Sequence, residues 1–289
     1  MIYYYKHKSL DELSQTELDM LGYDGVVRYA TEHNMSADEL FKTIKKLEKD
    51  VLELNAKSLD VSSGEYLDQM NLWLNRYVDY FNNNAKHDKQ AYIVIGNIAS
   101  GKSTFSHQLE QETQSIIVDS DRYKTGEQTP AGFFEGFSNL YTPLTRDAIQ
   151  EPCSIAGKKT LDLVSDEGFN LILPKASTSA DKLERQLKVL EDKNYDIHLI
   201  LIEAPTEECA NRNYFRYIVR EYAQEVNPNG MAVRGRFIPV SVLLERGDKS
   251  FATFAHAYGR KRYKSYKAFY NDKTTPFEEL DLNTMHMDI

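Results

Sequence analysis

Residues 96–104 read GNIASGKST and directly follow the apolar run AYIVI at 91–95. Their spacing is Gly96, four residues, then Gly101-Lys102-Ser103, the complete pattern of a phosphate-binding loop between a strand and a helix. The glycines allow a tight turn in which successive backbone N–H groups point at phosphate oxygens. The alternative is a turn rich in glycine and serine that binds nothing, and the completeness of the pattern argues against it.

The positions of this loop have separate predicted roles. Lys102 reaches the outer phosphates as a point charge, and Ser103 supplies a hydroxyl to Mg²⁺. The helix that follows, STFSHQLEQE, adds the positive end of its dipole. The predicted nucleotide-binding residues of the loop are therefore Gly96, Asn97, Ile98, Ala99, Ser100, Gly101, Lys102, Ser103 and Thr104.

Composition restricts the remaining possibilities. The chain has 289 residues, of which 41% are apolar and 27% charged, as in a soluble protein of one large or two smaller domains. A net charge of −9 disfavours a general attraction to nucleic acid or to anionic lipid. No apolar run reaches the roughly 18 residues of a membrane span, and the first residues do not resemble a signal peptide. We expect a cytoplasmic protein in which Cys153 and Cys209 are buried free thiols.

The N-terminal region, residues 1–85, is predicted to be a small helical bundle. SLDE at 9–12 and SADE at 36–39 are capping boxes, and an apolar stripe of one helix follows the second. A further helix is predicted at about 63–82, and three such helices can form a bundle. The polar stretch NNNAKHDKQ at 82–90 is interpreted as a linker or a surface turn.

From residue 91 the pattern changes to strands that alternate with helices. Continuous apolar strands separated by helices predict a parallel sheet covered on both faces, with the ligand beyond the carboxyl ends of the strands. This α/β domain is expected to occupy residues 90–289. The four strand candidates are AYIVI at 91–95, SIIVD at 115–119, FNLIL at 169–173 and DIHLILI at 196–202.

Asp119 ends the second predicted strand and Asp121 follows two residues later, at the same edge as the loop. In phosphoryl transfer, one such carboxylate orients Mg²⁺ and another accepts the proton of the attacking hydroxyl. We assign the metal role to Asp119 and the base role to Asp121. The alternative for either residue is to cap the helix that follows.

Arginines occur late in the chain. Arg216 is predicted to lie on a helix after the fourth strand, and Arg234 and Arg236 lie in a glycine-flanked segment suited to a lid. Guanidinium groups match phosphate oxygens two at a time. For each of these arginines, a solvated position on a basic surface is the alternative.

Together these residues resemble the zeta toxin family, the kinases of epsilon/zeta toxin–antitoxin systems. The resemblance covers about residues 90–240 and includes the phosphate loop, IIVDSDRYK, SDEGFNLIL at 165–173, Pro205 with Arg216 eleven residues later, and Arg236 three residues before a proline. It implies a P-loop NTPase fold like that of adenylate kinase, with ATP and Mg²⁺ as cofactors. It also implies that Asp121 is the base, that Lys102 binds phosphate, and that Arg216 and Arg236 hold the ATP phosphates. The implied reaction phosphorylates the 3′-hydroxyl of UDP-N-acetylglucosamine and blocks cell-wall precursor synthesis.

Two departures from the family pattern concern the acceptor. Pro174 and Lys175 stand where the family has a glutamate after the third strand. Lys158 and Lys159 stand near the position at which the family has a substrate-holding glutamate on a helix. Acid-to-lysine changes reverse the charge beside the sugar, so the acceptor is a UDP-sugar or another phosphorylated metabolite. The epsilon antitoxin is a three-helix protein that obstructs the ATP site, so the resemblance suggests that residues 1–85 are a fused inhibitory partner.

Alternative functions remain open at this stage. The first is a kinase of a nucleoside, a nucleotide or a polynucleotide 5′-end, suggested by YGRKRYKSYKAFY at 258–270, which is basic with interleaved aromatic residues. An amphipathic helix is the favoured interpretation of that stretch. The second is a nucleotide-sensing module without turnover, and the presence of both Lys102 and Asp121 argues against it.

Overall fold

A computed structural model describes residues 85–125, 127–129, 132–134, 150–176, 179–210, 212–213, 240–272, 274 and 276–285, with seven isolated residues before 85. Two compact units divide the chain. One comprises residues 75–119, 157–209 and 243–289, and the other includes residues 120–156 and 210–242. The two units are described separately below.

A six-stranded sheet forms the centre of the first unit, in the order β2-β5-β1-β6-β7-β8. The first five strands of that order are parallel, and β8 is antiparallel to β7. The four predicted strands are confirmed as β1, β2, β5 and β6. The strands of the sheet are β1 (Gln90–Gly96), β2 (Ile116–Ile117), β5 (Leu171–Lys175), β6 (Asp196–Glu203), β7 (Ser265–Tyr270) and β8 (Glu278–Glu279).

Five helices with defined bounds and one hairpin accompany the sheet, and residues 206–210 and 212–213 are also helical. The hairpin belongs to the second unit. Ser179 caps the helix of residues 180–192, and its hydroxyl accepts from the Lys182 N–H at 3.4 Å. The elements are α1 (Lys102–Thr113), α2 (Ser120–Thr125), β3 (Glu127–Thr129), β4 (Gly132–Phe134), α3 (Gln150–Asp166), α4 (Ala180–Asp192) and α5 (Val240–Arg260).

Strands β1, β5 and β6 are largely apolar and buried because both faces of the sheet are covered there. A core cluster takes side chains from four neighbouring strands: Val94, Ile117, Ile172, Ile200 and Ile202. Phe105 and Leu109 of α1 pack against this cluster, together with Phe269 and Phe277. Helix α1 is therefore fixed on one face of the sheet, and the loop that precedes it is fixed with it. Cys153 and Cys209 are buried free thiols, as predicted.

The described part of the predicted linker, residues 86–90, is bound to the amino ends of the strands. Lys86 donates its N–H to Gln114 O at 2.9 Å and accepts from the Asn170 N–H at 2.7 Å. The side chain of Asn170 accepts from the N–H groups of Asp88 and Gln90, at 3.0 Å each. The chain thus enters β1 through an ordered surface turn, which agrees with one of the two interpretations of the sequence.

The prediction of an amphipathic helix for residues 258–270 was wrong. Helix α5 ends at Arg260, Lys261 adopts a left-handed φ of 48°, and β7 runs from Ser265 to Tyr270. Tyr258 and Tyr266 are eight residues apart in the sequence, a spacing that also suits one face of a helix. In the structure they belong to α5 and β7, and their ring centroids lie 5.4 Å apart across the turn. The apparent helical stripe therefore combined residues of two different elements.

Most of the N-terminal region lies outside the described residues. The described positions 39, 68, 71–72 and 75–76 are helical and fall within two of the predicted helices. The capping box at 9–12 and the packing of the predicted bundle lie outside the described residues. The division at residue 85 stays a prediction.

Candidate active site

The loop of residues 96–101 joins β1 to α1 at the carboxyl edge of the sheet. Two of its residues adopt left-handed backbone conformations, Ala99 with φ 61° and Gly101 with φ 103°. The Ser100 N–H donates to Asn97 O at 3.2 Å and closes the turn. A backbone that reverses in this way turns successive N–H groups toward one concavity, which is suited to an anion.

Close approach of a neighbouring strand explains the first glycine of the loop. A Cβ on Gly96 would lie 2.5 Å from the carbonyl oxygen of Ile202 in β6 and 2.8 Å from the Ser100 hydroxyl. Any side chain at this position would push the loop away from β6. The glycine that the pattern requires is thus required here by packing as well.

Lys102 and the start of α1 provide positive charge at the loop. The Lys102 Nζ donates to the carbonyl oxygen of Asn97, which holds the ammonium over the loop. Gly101 caps α1 without a side-chain hydrogen bond. The first N–H groups of a helix have no intrahelical acceptor, so this end of α1 can donate to an anion. Ser103 and Thr104 are exposed in the first turn.

Asn97 ties the loop to helix α5. Its side-chain Nδ2 donates to Leu243 O at 2.8 Å, and its Oδ1 accepts from the Ile98 N–H at 2.7 Å. Gly247 lets α5 come close, because a Cβ there would lie 3.0 Å from the same Nδ2. The sequence pattern assigned Asn97 to the nucleotide, whereas the described contacts of its side chain hold the loop.

Asp119 and Lys175 stand at the same edge of the sheet as the loop. Strand β5 lies between β1 and β2, and its last residue Lys175 pairs with Ile95, one position before the loop. Asp119 lies two residues after β2. Between them, the Val118 N–H donates a hydrogen bond to Ile172 O of β5 at 2.9 Å and keeps this segment beside the sheet. The topology therefore places a lysine between the phosphate loop and the first aspartate.

Lys175 is partly buried and lies in a mixed electrostatic environment. Burial lowers the pKa of its ammonium, the negative charge of Asp119 opposes that shift, and the positive charge of Lys182 adds to it. Removal of a charge from water is costly unless an opposite charge compensates. The two lysines, at the end of β5 and in the first turn of α4, form an electropositive pair, and the charge of Asp119 opposes that of Lys182 at Lys175.

The predicted base and the predicted arginines are less completely described. Asp121 is in the first turn of α2, is partly buried, and belongs to the second compact unit. Arg216, Arg234 and Arg236 lie outside the described residues. The structure therefore brings together residues 96–104, Asp119 and Lys175.

Glu203 is an acid at this edge that was not predicted from the sequence. It ends β6, and burial, with a smaller contribution from the Asp248 carboxylate, raises the pKa of its carboxyl group. Its position at the end of an apolar strand, before Pro205, was the available signal. Lys158 is exposed and Lys159 partly buried on α3.

Four of the five basic residues of 258–270 are paired with carboxylates, and the fifth, Lys261, lies over the ring of Tyr258. Arg260 contacts Glu184 and Arg262 contacts Glu191. Lys264 lies 3.3 Å from Asp196, and Lys267 lies 3.2 Å from Glu279. This surface has compensated charges and is unlike the unbalanced positive surface that nucleic acid selects.

The part of the chain that the structure describes has neither a membrane-spanning helix nor a metal-binding cluster of acidic, histidine and cysteine side chains. Among these residues no helix is long and apolar enough to cross a membrane. No cluster of three or more histidine, cysteine, aspartate or glutamate residues there could hold a metal ion. The oxygen donors of the loop region, the Ser103 hydroxyl and the Asp119 carboxylate, are of the kind that Mg²⁺ prefers when phosphates complete its shell.

Comparison with known proteins gives this loop and sheet a family. The sequence profile of the zeta toxin family matches residues 75–273. Two curated relatives, both called Toxin zeta, from Streptococcus agalactiae and Streptococcus pyogenes, are 23% identical over 120 residues, which is 40% of this chain. The chain spans about two fifths of the length of these relatives, 39%.

A solved structure shows the same fold. It comes from the PezAT chromosomal toxin–antitoxin system of Streptococcus pneumoniae, and the superposition has a TM-score of 0.53 at 18% identity. It covers 72% of this chain and 80% of the other. The match of the family profile extends over more than half of the chain and includes the phosphate loop, Asp119 and Asp121. The chain belongs to the zeta toxin family.

Proposed function

We propose that this protein is an ATP-dependent kinase that transfers the γ-phosphoryl group of ATP to a hydroxyl of a UDP-sugar such as UDP-N-acetylglucosamine. The observation that carries the proposal is the phosphate loop of this chain, with its two glycines, its left-handed turn and its lysine contact, in a member of the zeta toxin family. Phosphorylation of a cell-wall precursor would account for toxicity, and we place the reaction in the cytoplasm.

The loop residues are assigned to ATP. The backbone of residues 96–104 surrounds the phosphates, and Lys102 exchanges its contact with Asn97 O for the outer phosphates. Ser103 and Asp119 would hold Mg²⁺, which neutralises charge on the phosphates. Their hydroxyl and carboxylate oxygens suit that ion.

Asp121 is assigned as the general base. A carboxylate within reach of the acceptor can take the hydroxyl proton as the new O–P bond forms. Arg216, Arg234 and Arg236 are assigned to the phosphates, where guanidinium groups stabilise charge during transfer. These assignments derive from the family resemblance and from the order of the residues along the chain.

The acceptor is proposed to carry negative charge. Lys175 and Lys182 form an electropositive pair at the carboxyl edge, where the family pattern has an acid after the same strand. A diphosphate group suits such a pair, because ammonium groups bind phosphate as point charges. This supports a UDP-sugar or another phosphorylated metabolite as the acceptor. The paired basic residues of 258–270 give no support to a polynucleotide.

We also propose that residues 1–85 restrain the kinase in cis. The structural neighbour belongs to the PezAT system, in which a toxin is paired with an antitoxin. An inhibitor that is covalently attached to its target acts at a high effective concentration. Cleavage before residue 86 should raise activity and toxicity in bacteria, and Lys102→Ala should remove the toxicity. A folded, cleaved protein with unchanged activity and toxicity would contradict this restraint.

Incubation with ATP and separate acceptor pools tests the kinase assignment. The pools are UDP-sugars, nucleosides and 5′-hydroxyl oligonucleotides, and the product is detected by mass as an added phosphoryl group. We expect transfer to a UDP-sugar by the wild-type chain and none by Lys102→Ala. Transfer to another pool alone would replace the acceptor. ATP binding without transfer to any pool would indicate a nucleotide-sensing module.

A further inference from the structure

The phosphate loop is held from outside by the residue that follows β7. Asn271 is 4% exposed, and its backbone N–H donates to Glu203 O at 2.9 Å. Its side-chain Nδ2 donates to the carbonyl oxygen of Ser100 at 2.6 Å. A buried hydrogen bond thus joins the end of one strand of the sheet to the middle of the loop.

The second glycine of the loop makes this contact possible. A Cβ on Gly101 would lie 2.2 Å from the Asn271 Nδ2, and Gly101 also has a φ of 103°. The ring of Phe277 lies 3.4 Å from the same position and packs against Phe105, with centroids 5.3 Å apart. Asn271 and Phe277 therefore both lie against the back of the loop.

Peptide geometry links this contact to the predicted function of the loop. The carbonyl of Ser100 and the N–H of Gly101 belong to one planar trans peptide, so they point in opposite directions. A carbonyl held toward Asn271 directs the Gly101 N–H away from Asn271. In a phosphate-binding loop, the direction of such N–H groups determines whether they reach phosphate oxygens.

We propose that Asn271 is a positioning residue of the phosphate loop, whose carboxamide fixes the Ser100–Gly101 peptide and so aims the Gly101 N–H at a nucleotide phosphate. This inference rests on the proposed function, because it requires a nucleotide at residues 96–104. Asn271 itself does not touch the nucleotide in this arrangement. It sets the direction of a donor before the nucleotide binds, which reduces the ordering cost of binding.

The test compares two asparagines that hold main chain at opposite ends of the same sheet. Asn271→Ala and Asn271→Asp are made in the full chain, with Asn170→Ala as the matched control. Asn170 is 2% exposed and accepts two N–H groups at 3.0 Å each, at the amino edge. Dissociation constants for ATP, ADP and adenosine are measured by calorimetry, and thermal unfolding is measured for each variant.

We expect Asn271→Ala to weaken ATP and ADP about tenfold while adenosine binding stays unchanged, since loss of one hydrogen bond in a buried network is worth about this factor. Asn271→Asp should weaken ATP and ADP further, because its carboxylate oxygens face the Ser100 carbonyl. Asn170→Ala should lower the unfolding temperature and leave all three constants unchanged. If Asn271→Ala does not fold, Asn271→Ser, which keeps a donor, replaces it. This variant should likewise weaken the binding of ATP and ADP and leave that of adenosine unchanged.

Two results would overturn this inference and one would overturn the proposed function instead. Folded Asn271 variants that bind ATP as the wild type does would show that the contact does not aim the donor. An equal loss for ATP and adenosine would show a general structural role. A wild-type chain that binds neither ATP nor ADP would contradict the kinase assignment.

Discussion

The amino and carboxyl edges of the sheet use polar residues in opposite ways. At the amino edge, polar groups satisfy one another. His198 shares its two ring nitrogens with Ser265 Oγ at 2.7 Å and Gln90 Oε1 at 2.9 Å, and stacks on Tyr92. Asn170 closes the entry of the chain there.

At the carboxyl edge, polar groups lie in less compensated surroundings. Lys175 loses favourable hydration through burial, and Glu203 has a raised pKa beside another acid, Asp248. Left-handed backbone occurs at both edges and does not distinguish them. At the amino edge, hydrogen bonds lower the pKa of Asp196 and so stabilise its charge, whereas burial disfavours the charges of Lys175 and Glu203.

The two edges separate polar residues that hold the fold from polar residues available for binding or catalysis. Both edges terminate the same strands, so burial and strand propensity are shared between them. Among the described residues, the carboxyl edge combines a positive helix end, a lysine on a loop carbonyl, and two partly buried groups, Lys175 and Glu203, whose pKa values burial shifts toward the neutral form. A polar residue at the amino edge is therefore expected to affect stability, and one at the carboxyl edge to affect binding or turnover.

Exchange of one lysine at each edge gives the largest expected contrast. Lys102→Ala should lower phosphoryl transfer by at least about a thousandfold, since its charge serves the transferred phosphoryl group. Lys264→Ala at the amino edge removes only a surface pair with Asp196, 3.3 Å apart, and should leave transfer unchanged. Product formation and thermal unfolding are measured for both. Normal turnover by Lys102→Ala would contradict the kinase assignment.

The two aspartates near β2 should differ in the step that they support. Asp121→Asn should lower transfer by about 10²–10⁴-fold with ATP affinity retained, because an amide cannot accept the hydroxyl proton. Asp119→Asn should instead raise the Mg²⁺ concentration needed for half-maximal rate. Titration of Mg²⁺ at saturating ATP separates the roles. If the two phenotypes were exchanged, the base and metal assignments would be exchanged with them.

Lys175→Gln tests whether the electropositive pair faces the acceptor. We expect the KM for the UDP-sugar to rise about tenfold, as for loss of a charge-assisted hydrogen bond, with a smaller change in the KM for ATP. The matched control is Lys188→Gln, an exposed α4 residue that pairs with Asp192 at 3.4 Å. A rise confined to the KM for ATP would assign Lys175 to the nucleotide.

The smallest effect is expected from pH at the amino edge. Burial lowers the pKa of His198, while the Asp196 carboxylate opposes the shift. The unfolded chain therefore binds a proton at higher pH than the folded chain does, and the stability that the neutral ring contributes is lost as pH falls below the usual histidine pKa of about 6.5. Urea unfolding between pH 7.5 and 5 should show this loss, reduced in His198→Gln and unchanged in the exposed His107→Gln.

Much of the sheet and of the phosphate loop could be predicted from the sequence. Apolar runs at 91–95 and 196–202 are continuous because β1 and β6 are central strands, and continuous runs are a strong local signal. The loop is equally local, since its requirements lie within nine consecutive residues. These features depend on neighbours in the sequence.

Contacts between distant residues could not be predicted. Asn271 is an ordinary asparagine after a strand, and only the folded sheet brings it to Ser100. Strand β7 was predicted as part of a helix because Tyr258 and Tyr266 have the spacing of one helical stripe. They belong to different elements, and their rings meet across a turn. The positions of Asn271 and Glu203 at the carboxyl edge depend on the order of the strands, and that order is set by pairing in the folded sheet.

The entry of the chain at residue 86 has a consequence for modularity. From Lys86 onward, the bonds that hold the entry turn, to Gln114 and Asn170, lie entirely within the six-stranded unit. Strand β1, seven residues long, places this entry about 23 Å from the phosphate loop. A change of the chain upstream of residue 86 is therefore expected to leave the entry turn and strand β1 in place, since the sheet itself holds both.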